Sequence, residues 1–254
     1  MRTPRLFVDA ALEPGAPLDL PPSQSHYVRN VLRARTGQPI VLFNGQGGEY
    51  DGFISGVGRS VVSVEIRAFS ADNRASPLSI HLGLAVTKRD AMDTAIQKAT
   101  ELGVSAITPV LSEFNATTRK SLDKRFQHWI GIIRSAAEQC ERNLLPELLP
   151  ISDFGTFVAG AEADLKLLAH PGHSNPLEAA MPEPRSIVIA VGPEGGFSES
   201  EVSTAARAGF APIGLGPRIL RADTAPLVLV SLAQARWGDL LQETPSTVAA
   251  GHSM

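Results

Sequence analysis

Hydrophobic and polar positions alternate in short runs over roughly the first 70 residues, a spacing typical of β-strands. The runs that fit this pattern lie at residues 6–9, 39–43, 49–55 and 59–69. The segment Asn44-Gly45-Gln46-Gly47-Gly48 separates two of these runs, and its glycines supply the positive φ angles that a hairpin loop needs. Residues 23–32 fit a short helix. Short strands joined by tight turns predict a small β-barrel.

Beyond residue 78 the apolar positions alternate between strand and helix spacing. Residues 78–86 and Ala106–Leu111 fit strands. Between them Asp90 is placed to cap a helix that Gly103 ends, with apolar residues on one face at Met92, Ala95, Ile96, Ala99 and Leu102. Ser121 opens a long helix whose predicted buried side comprises Leu122, Phe126, Trp129, Ile130, Ile133, Ala137 and Cys140.

The same alternation continues to residue 241. Residues 165–169 and 187–191 are continuous apolar runs, as expected of strands covered on both faces. Ser198 and Glu201 fit a capping box that begins a helix, and Gly209 fits its end. Residues 211–215 fit a last strand and residues 224–241 a final helix that is apolar nearly all round. Alternating strands and helices predict an α/β domain on a mostly parallel sheet.

Residues 70–77 are polar and end in proline, which predicts a domain boundary. The expected domains are residues 1–72 and residues 78–242, followed by a frayed tail. The chain of 254 residues is 43% hydrophobic and 19% charged and has one cysteine. It contains no apolar run of membrane-spanning length, and its start lacks the apolar core of a signal peptide. These features predict a cytoplasmic protein, while a net charge of −3 predicts no strongly basic surface.

Three glycine-containing loops follow three predicted strands, at residues 168–172, 192–197 and 216–221. Ligands of open α/β sheets bind beyond the carboxyl ends of the strands, where glycines let the backbone approach closely. Leu168, Leu215, Ile219 and Leu220 are suited to pack the flat face of an adenine. Such glycines also occur in simple tight turns, and the residues leave both interpretations open. No G-x-G-x-x-G segment follows a strand, which argues against a dinucleotide site.

The sequences Val191-Gly192-Pro193-Glu194-Gly195-Gly196-Phe197-Ser198 and Leu215-Gly216-Pro217-Arg218-Ile219-Leu220-Arg221 closely resemble motifs of a known family. It comprises the small-subunit rRNA uridine-N3 methyltransferases of the SPOUT superfamily (RsmE type). The segments Gln97-Lys98-Ala99-Thr100-Glu101-Leu102-Gly103-Val104 and His26-Tyr27-Val28 are also similar to the family pattern. The resemblance covers nearly the whole chain.

This resemblance implies a small N-terminal PUA-like β-barrel that helps to bind rRNA and a C-terminal SPOUT domain with a trefoil knot. It implies a homodimer acting on 16S rRNA in the small ribosomal subunit, with S-adenosyl-L-methionine as the cofactor. The implied cofactor-binding residues are Leu168, Ala169, His170, Gly192, Pro193, Glu194, Gly195, Gly196, Leu215, Gly216, Ile219, Leu220 and Arg221.

Methylation at uracil N3 requires loss of a proton and stabilisation of negative charge on the base. Arg221 and Glu194 are the candidate catalytic residues, the first as the cation and the second as an orienting or proton-accepting group. Arg5, His26, Arg29 and Arg33 are the candidate RNA-binding residues.

Several other expectations remain open at the level of sequence. Glu138 and Arg142 are one turn apart and are expected to form either an ordinary ion pair or a functional pair. Asp223 and Pro226 depart from the family pattern, and the final helix is expected to begin near Asp223. No metal or membrane is expected. Two alternatives are a SPOUT enzyme with another rRNA or tRNA target and a non-catalytic RNA-binding protein.

Overall fold

A computed structural model describes residues 3–115, 122–172 and 183–242. The N-terminal part is a sheet in the order β1-β3-β4-β5-β2. Its strands are β1 (Arg5–Phe7), β2 (Pro17–Asp19), β3 (Pro39–Phe43), β4 (Glu49–Val57) and β5 (Val62–Ser70). β1 pairs with β3 in parallel, and the other pairs in this sheet are antiparallel. Helix α1 (Pro22–His26) continues into a π-helical turn, Tyr27–Val31, where the sequence predicts one uninterrupted helix.

The C-terminal part is a second sheet in which every described pairing is parallel. The strand order is β12-β10-β11-β6-β7-β8, and β9 also pairs with β7. The strands are β6 (Ser79–Ala85), β7 (Ala106–Leu111), β8 (Glu147–Leu148), β9 (Ser152–Asp153), β10 (Leu165–Ala169), β11 (Ser186–Val191) and β12 (Ala211–Ile213). The predicted α/β class with a parallel sheet is confirmed.

Helices cover both faces of this sheet. They are α2 (Arg89–Glu101), α3 (Asp123–Cys140), α4 (Phe154–Gly160), α5 (Glu199–Arg207) and α6 (Ala225–Trp237). α2, α3 and α6 pack on one face around Trp129, while α4 and α5 pack on the other around Phe157. Alternate residues of β11 serve the two faces: Ile187 and Ile189 join the first core, and Val188 joins the second. Burial on both faces explains the continuous apolar strand sequences.

Two helix boundaries differ from the sequence-based expectation. Lys88, not Asp90, is the residue before α2, and Asp90 lies within the first turn. α6 begins at Ala225, two residues later than expected, with Pro226 in its first turn, where a proline removes no helical hydrogen bond. Ser198 caps α5 as predicted, and Glu201 completes the capping box. The predicted start of α3 at Ser121 lies outside the described residues. No described helix is both long enough and apolar enough to cross a membrane.

Polar contacts of Glu138 and Arg142 help to join the two parts of the chain, and these contacts differ from the pairing predicted from the sequence. Glu138 and Arg142 form no pair with each other, because Arg142 lies beyond the end of α3 and its guanidinium donates to the carbonyl of Thr100 at 2.8 Å. Glu138 instead accepts a hydrogen bond from the backbone of the N-terminal sheet, at Phe7. The predicted ion pair at these positions is therefore wrong.

Candidate active site

A cavity of about 790 Å³ lies at the carboxyl end of the parallel sheet. The loops after β10, β11 and β12 line it together with the turn between β6 and α2. The three predicted glycine loops therefore meet, as the rule for ligand sites in open α/β sheets predicts. The lining residues are Lys88, Asp90, Ala91, Ala169, His170, Pro171, Val191, Gly192, Pro193, Glu194, Gly195, Gly196, Phe197, Ile213, Leu215, Gly216, Arg218, Ile219, Leu220, Arg221, Ala222, Asp223 and Ala225.

Glycine is required in the loop after β11 because two parts of the backbone touch. A Cβ atom on Gly192 would lie 3.2 Å from the carbonyl carbon of Gly196 and 3.3 Å from its Cα. Gly196 has a φ of 74°, which favours glycine, and its N–H closes a tight turn onto the carbonyl of Pro193 at 2.9 Å. The loop is therefore a compact backbone surface facing the cavity.

Glu201 ties this loop to its neighbour. Its carboxylate accepts hydrogen bonds from the backbone N–H of Ser198 and from that of Glu113, both at 2.9 Å. Phe114, half exposed in the same neighbouring loop, packs so close to Gly195 that a Cβ there would lie 3.1 Å from the Phe114 Cβ. The Glu201 side chain thus helps to cap α5 and also links the two loops at the edge of the cavity.

The third loop carries exposed apolar and charged side chains. Ile219 is 85% exposed, and the Arg221 side chain is 83% exposed. The Arg221 Nε lies 3.5 Å from the Asp223 Oδ1, so the shorter carboxylate at residue 223 still reaches the arginine. Gly216 adopts a φ of 79°, and a Cβ there would meet no atom within 4 Å, so open space lies beside it.

Leu168 does not face the cavity, although sequence analysis places it against the ligand. Its side chain is buried in the core under α4 and α5, together with Phe157 and Phe210. Because successive strand residues point to opposite faces, the next residue, Ala169, lines the cavity instead. The other predicted cofactor residues line the cavity, and Leu168 is the one of them that does not.

Lys88, just before α2, and Asp90, in its first turn, are cavity residues that the sequence does not predict as such. β6 pairs directly with β11, with Leu84 opposite Val191, so the segment that follows β6 lies beside the loop after β11. The polar residues after the predicted strand at residues 78–86 are a signal, since the strand-end rule applies to them as well. What the sequence does not contain is the sheet order that places β6 next to β11.

The four predicted RNA-binding residues occupy different environments. Arg5 is unsuited to contact RNA, because its side chain is only 8% exposed and pairs with Glu49 at 2.5 Å. Arg29 is half-buried, and its guanidinium donates to the carbonyls of Gly58 and Arg59. His26 contacts Asn30, and Arg33 is exposed with a φ of 51°. Among the described residues, no three His, Cys, Asp or Glu side chains are grouped as metal ligands.

Comparison with known proteins agrees with this arrangement. Residues 74–234 match the family of RNA methyltransferase domains, and residues 20–67 match the RNA methyltransferase PUA domain. Ribosomal RNA small subunit methyltransferase E of Buchnera aphidicola (Schizaphis graminum) is 32% identical, over 94% of this chain and 98% of that protein. The protein of the same name from Synechocystis is 35% identical, over 87% and 73%.

Two solved structures resemble the whole chain. A methyltransferase from Legionella pneumophila, solved with bound SAM, is 38% identical with a TM-score of 0.90, covering 94% of this chain and 100% of its own. Ribosomal RNA small subunit methyltransferase E from Neisseria gonorrhoeae, bound to S-adenosyl methionine, is 35% identical with a TM-score of 0.88 and the same coverage. With its PUA-like N-terminal sheet, its parallel α/β sheet and these matches, the chain belongs to the ribosomal RNA small subunit methyltransferase E family.

Proposed function

We propose that this protein transfers a methyl group from S-adenosyl-L-methionine to N3 of one uridine in the 16S rRNA of the small ribosomal subunit. The observation that carries the proposal is the cavity in which the loops after β10, β11 and β12 converge. The relatives named for rRNA methylation and the neighbours solved with the cofactor support the same activity.

The residues of the cavity fit the cofactor. The backbone of Gly192 and Gly196 lines the cavity without a side chain at either position, which suits it to read the polar edge of an adenine. Leu215, Ile219 and Leu220 offer apolar area for its ring, and Ala169 and His170 close the remaining side. When bound, S-adenosyl-L-methionine supplies an electrophilic methyl carbon next to a positively charged sulfur.

We assign the candidate catalytic residues on chemical grounds. The exposed guanidinium of Arg221 is placed to stabilise negative charge that develops on the uracil as its proton leaves. Asp223 keeps Arg221 paired until the RNA arrives, and the arginine then exchanges this partner for the base. Glu194, in the tight turn of the second loop, orients the cofactor. Holding the uridine and the methyl carbon in line supplies much of the rate enhancement.

We further propose that residues 1–72 act as a PUA-like RNA-binding barrel and residues 78–242 as a trefoil-knotted SPOUT domain. The matches of residues 20–67 to a PUA domain and of residues 74–234 to an RNA methyltransferase domain support this division. Arg29, Arg33 and His26 are the candidates for contacts with rRNA phosphates. Work on ribosomal subunits would place the protein in the cytoplasm.

A homodimer is the proposed state of the enzyme. α6 is apolar on its outer side as well as its inner side, and Leu232 is 40% exposed there. Pairing of two such helices would bury this surface beside the third cofactor loop, since Ala225 of α6 lines the cavity.

Two measurements test the proposed function. Calorimetry with S-adenosyl-L-methionine is expected to give saturable binding. Incubation with small subunits from cells that lack the enzyme, followed by nucleoside mapping by mass spectrometry, is expected to give N3-methyluridine at one position. Methylation at a ribose 2′-oxygen instead would reject the substrate, and absence of cofactor binding would reject the enzyme.

A further inference from the structure

We propose that Asp90 accepts the N3 proton of the target uridine and that Lys88 stabilises the negative charge left on the base. This inference rests on the proposed function and assigns the substrate side of the same cavity. Lys88 is the residue before α2 and Asp90 lies in the first turn of that helix, so both are outside the three loops that fit the cofactor.

The position of these residues follows from the strand order. The strands β12, β10 and β11 are neighbours in the sheet, so the loops that follow them lie side by side in a row. β6 is the next strand, so its turn continues the row at one end, and Lys88, Asp90 and Ala91 line the cavity there. Outside the loops after β10, β11 and β12, this segment is the part of the described cavity wall that carries charged side chains.

The charged side chains of this wall are available to a ligand. Both Lys88 and Asp90 are exposed, and neither side chain has a polar partner among the described residues. The other acidic residues of the cavity differ in this respect. Asp223 is paired with Arg221, and Glu194 belongs to the glycine loop assigned to the cofactor.

The backbone of the turn is held from below by α3. The guanidinium of Arg125 donates to the carbonyl of Thr87 at 3.4 and 3.5 Å and lies 5.1 Å from the ring centroid of Trp129. Thr87 is 4% exposed, and the Trp129 Nε1–H donates to Asp93 in α2. The backbone is therefore anchored at Thr87, next to Lys88 and three residues before Asp90, which suits groups that must be held in a reactive geometry.

The chemistry balances with these groups. As the N3 lone pair forms a bond to the methyl carbon, the carbon–sulfur bond breaks, and its electron pair neutralises the sulfonium. The N3 proton passes to the Asp90 carboxylate and then to water. Proton removal runs ahead of nitrogen–carbon bond formation, so negative charge develops on the base before the methyl group neutralises it. The ammonium group of Lys88 offsets the transient negative charge on the uracil oxygens.

Two variants test the assignment, each with a control from a similar position. Asp90→Asn keeps the shape and removes the base, and Lys88→Met removes the charge. Glu199→Gln, an exposed acid in the first turn of α5, is the control for Asp90. Arg89→Gln, whose side chain is 68% exposed, is the control for Lys88. Each protein is tested on small subunits from cells that lack the enzyme, with cofactor affinity measured separately by calorimetry.

A positioned proton acceptor contributes about 10²- to 10⁴-fold, so kcat of Asp90→Asn is expected to fall by at least ~100-fold. Its affinity for S-adenosyl-L-methionine is expected to match that of the parent, and both controls to keep parental kcat. Subunits reconstituted with 5-fluorouridine, whose N3 proton is more acidic, are expected to restore much of the lost rate in Asp90→Asn. Lys88→Met is expected to lose rate on both substrates.

The inference is overturned if Asp90→Asn methylates normal subunits at the parental rate, or if 5-fluorouridine gives no selective rescue. Loss of cofactor affinity in Asp90→Asn would also overturn it, because the residue would then serve the cofactor. An inactive parent with intact cofactor binding would reject the proposed substrate itself, an outcome distinct from these.

Discussion

Glu138 in α3 accepts a hydrogen bond from the backbone N–H of Phe7, at the end of β1, across 2.9 Å. The contact joins the N-terminal sheet to the C-terminal one. Burial raises the pKa of the Glu138 carboxyl, against the opposing effects of the Phe7 hydrogen bond and the charge of Arg5. The ionisable Glu138 carboxyl therefore lies at a buried position where a neutral side-chain oxygen could also accept the hydrogen bond from the Phe7 N–H.

The first prediction concerns the pH dependence of stability at this contact. Because its pKa is raised on folding, Glu138 contributes stability that is full below the unfolded carboxyl pKa and is lost as the pH rises through the folded value. Glu138→Gln keeps the acceptor and removes the titration. Relative to the parent, its free energy of unfolding is therefore expected to increase from about pH 4 to about pH 8.

Urea unfolding across this pH range measures the effect. Glu13→Gln, which changes an exposed carboxylate, is the matched control and should follow the parent at every pH. If the free energy of unfolding of Glu138→Gln changed with pH in the same way as that of the parent, burial of the carboxylate would not affect stability.

The second prediction concerns Arg5, which joins the two sheets a few residues earlier. Its guanidinium contacts Glu49, Asn143 and the carbonyl of Arg142, and lies 4.3 Å from the ring centroid of Phe43. Arg5→Met leaves the largely buried Glu49 and Asn143 without this partner. The expected loss is about 3 kcal/mol of unfolding free energy, measured by chemical denaturation.

The double variant Arg5→Met with Glu49→Gln is expected to recover part of that loss, because the unpaired charge is gone. An Arg5→Met protein of parental stability that binds rRNA weakly would restore Arg5 to the RNA-binding surface.

The third prediction uses two glycines with opposite surroundings. Gly192→Ala places a methyl group 3.2 Å from the Gly196 backbone, so the loop must move and cofactor affinity is expected to fall at least ~10-fold, a change of ~1.4 kcal/mol. Gly131→Ala lies within α3, where the added methyl meets no atom within 4 Å. This control should keep its affinity and gain about 0.5–1 kcal/mol of stability.

Calorimetry and thermal unfolding on both proteins separate local displacement from general destabilisation. Parental affinity in Gly192→Ala would mean that the backbone contact with Gly196 does not shape the cofactor site.

The fourth prediction tests the dimer through α6. Leu232→Glu places a charge on the exposed apolar side of the helix, so the expected result is a monomer by analytical ultracentrifugation. Val31→Glu, at a 62% exposed position of the N-terminal part, should leave the association state unchanged. A Leu232→Glu protein that remains dimeric would show that the two copies associate through another surface.

Local signals predict much of this fold because each depends on neighbours in the chain. The capping box of Ser198 and Glu201 is an example, since its residues are three positions apart and form the predicted contacts. The three glycine loops are another, because parallel strands bring the loops at their carboxyl ends to the same edge of the sheet.

Long-range relationships are not accessible in the same way. The pairing of Glu138 with Phe7, the burial of Arg5 and the place of Lys88 depend on partners far away in the sequence. The assignment of Leu168 fails for a different reason, because a strand covered on both faces has no polar alternation to show which side chains point toward the ligand.

The order β12-β10-β11-β6 also determines when the strands of this sheet can pair as the chain is synthesised. About 100 residues separate β6 from its neighbour β11, so the two strands can pair only after that length of chain has been made. The cavity is complete only when the start of α6 has followed β12. A chain still emerging from the ribosome therefore lacks a finished site until the start of α6 has been made. An enzyme of this design cannot become active while it holds only the N-terminal sheet and the first strands of the parallel one.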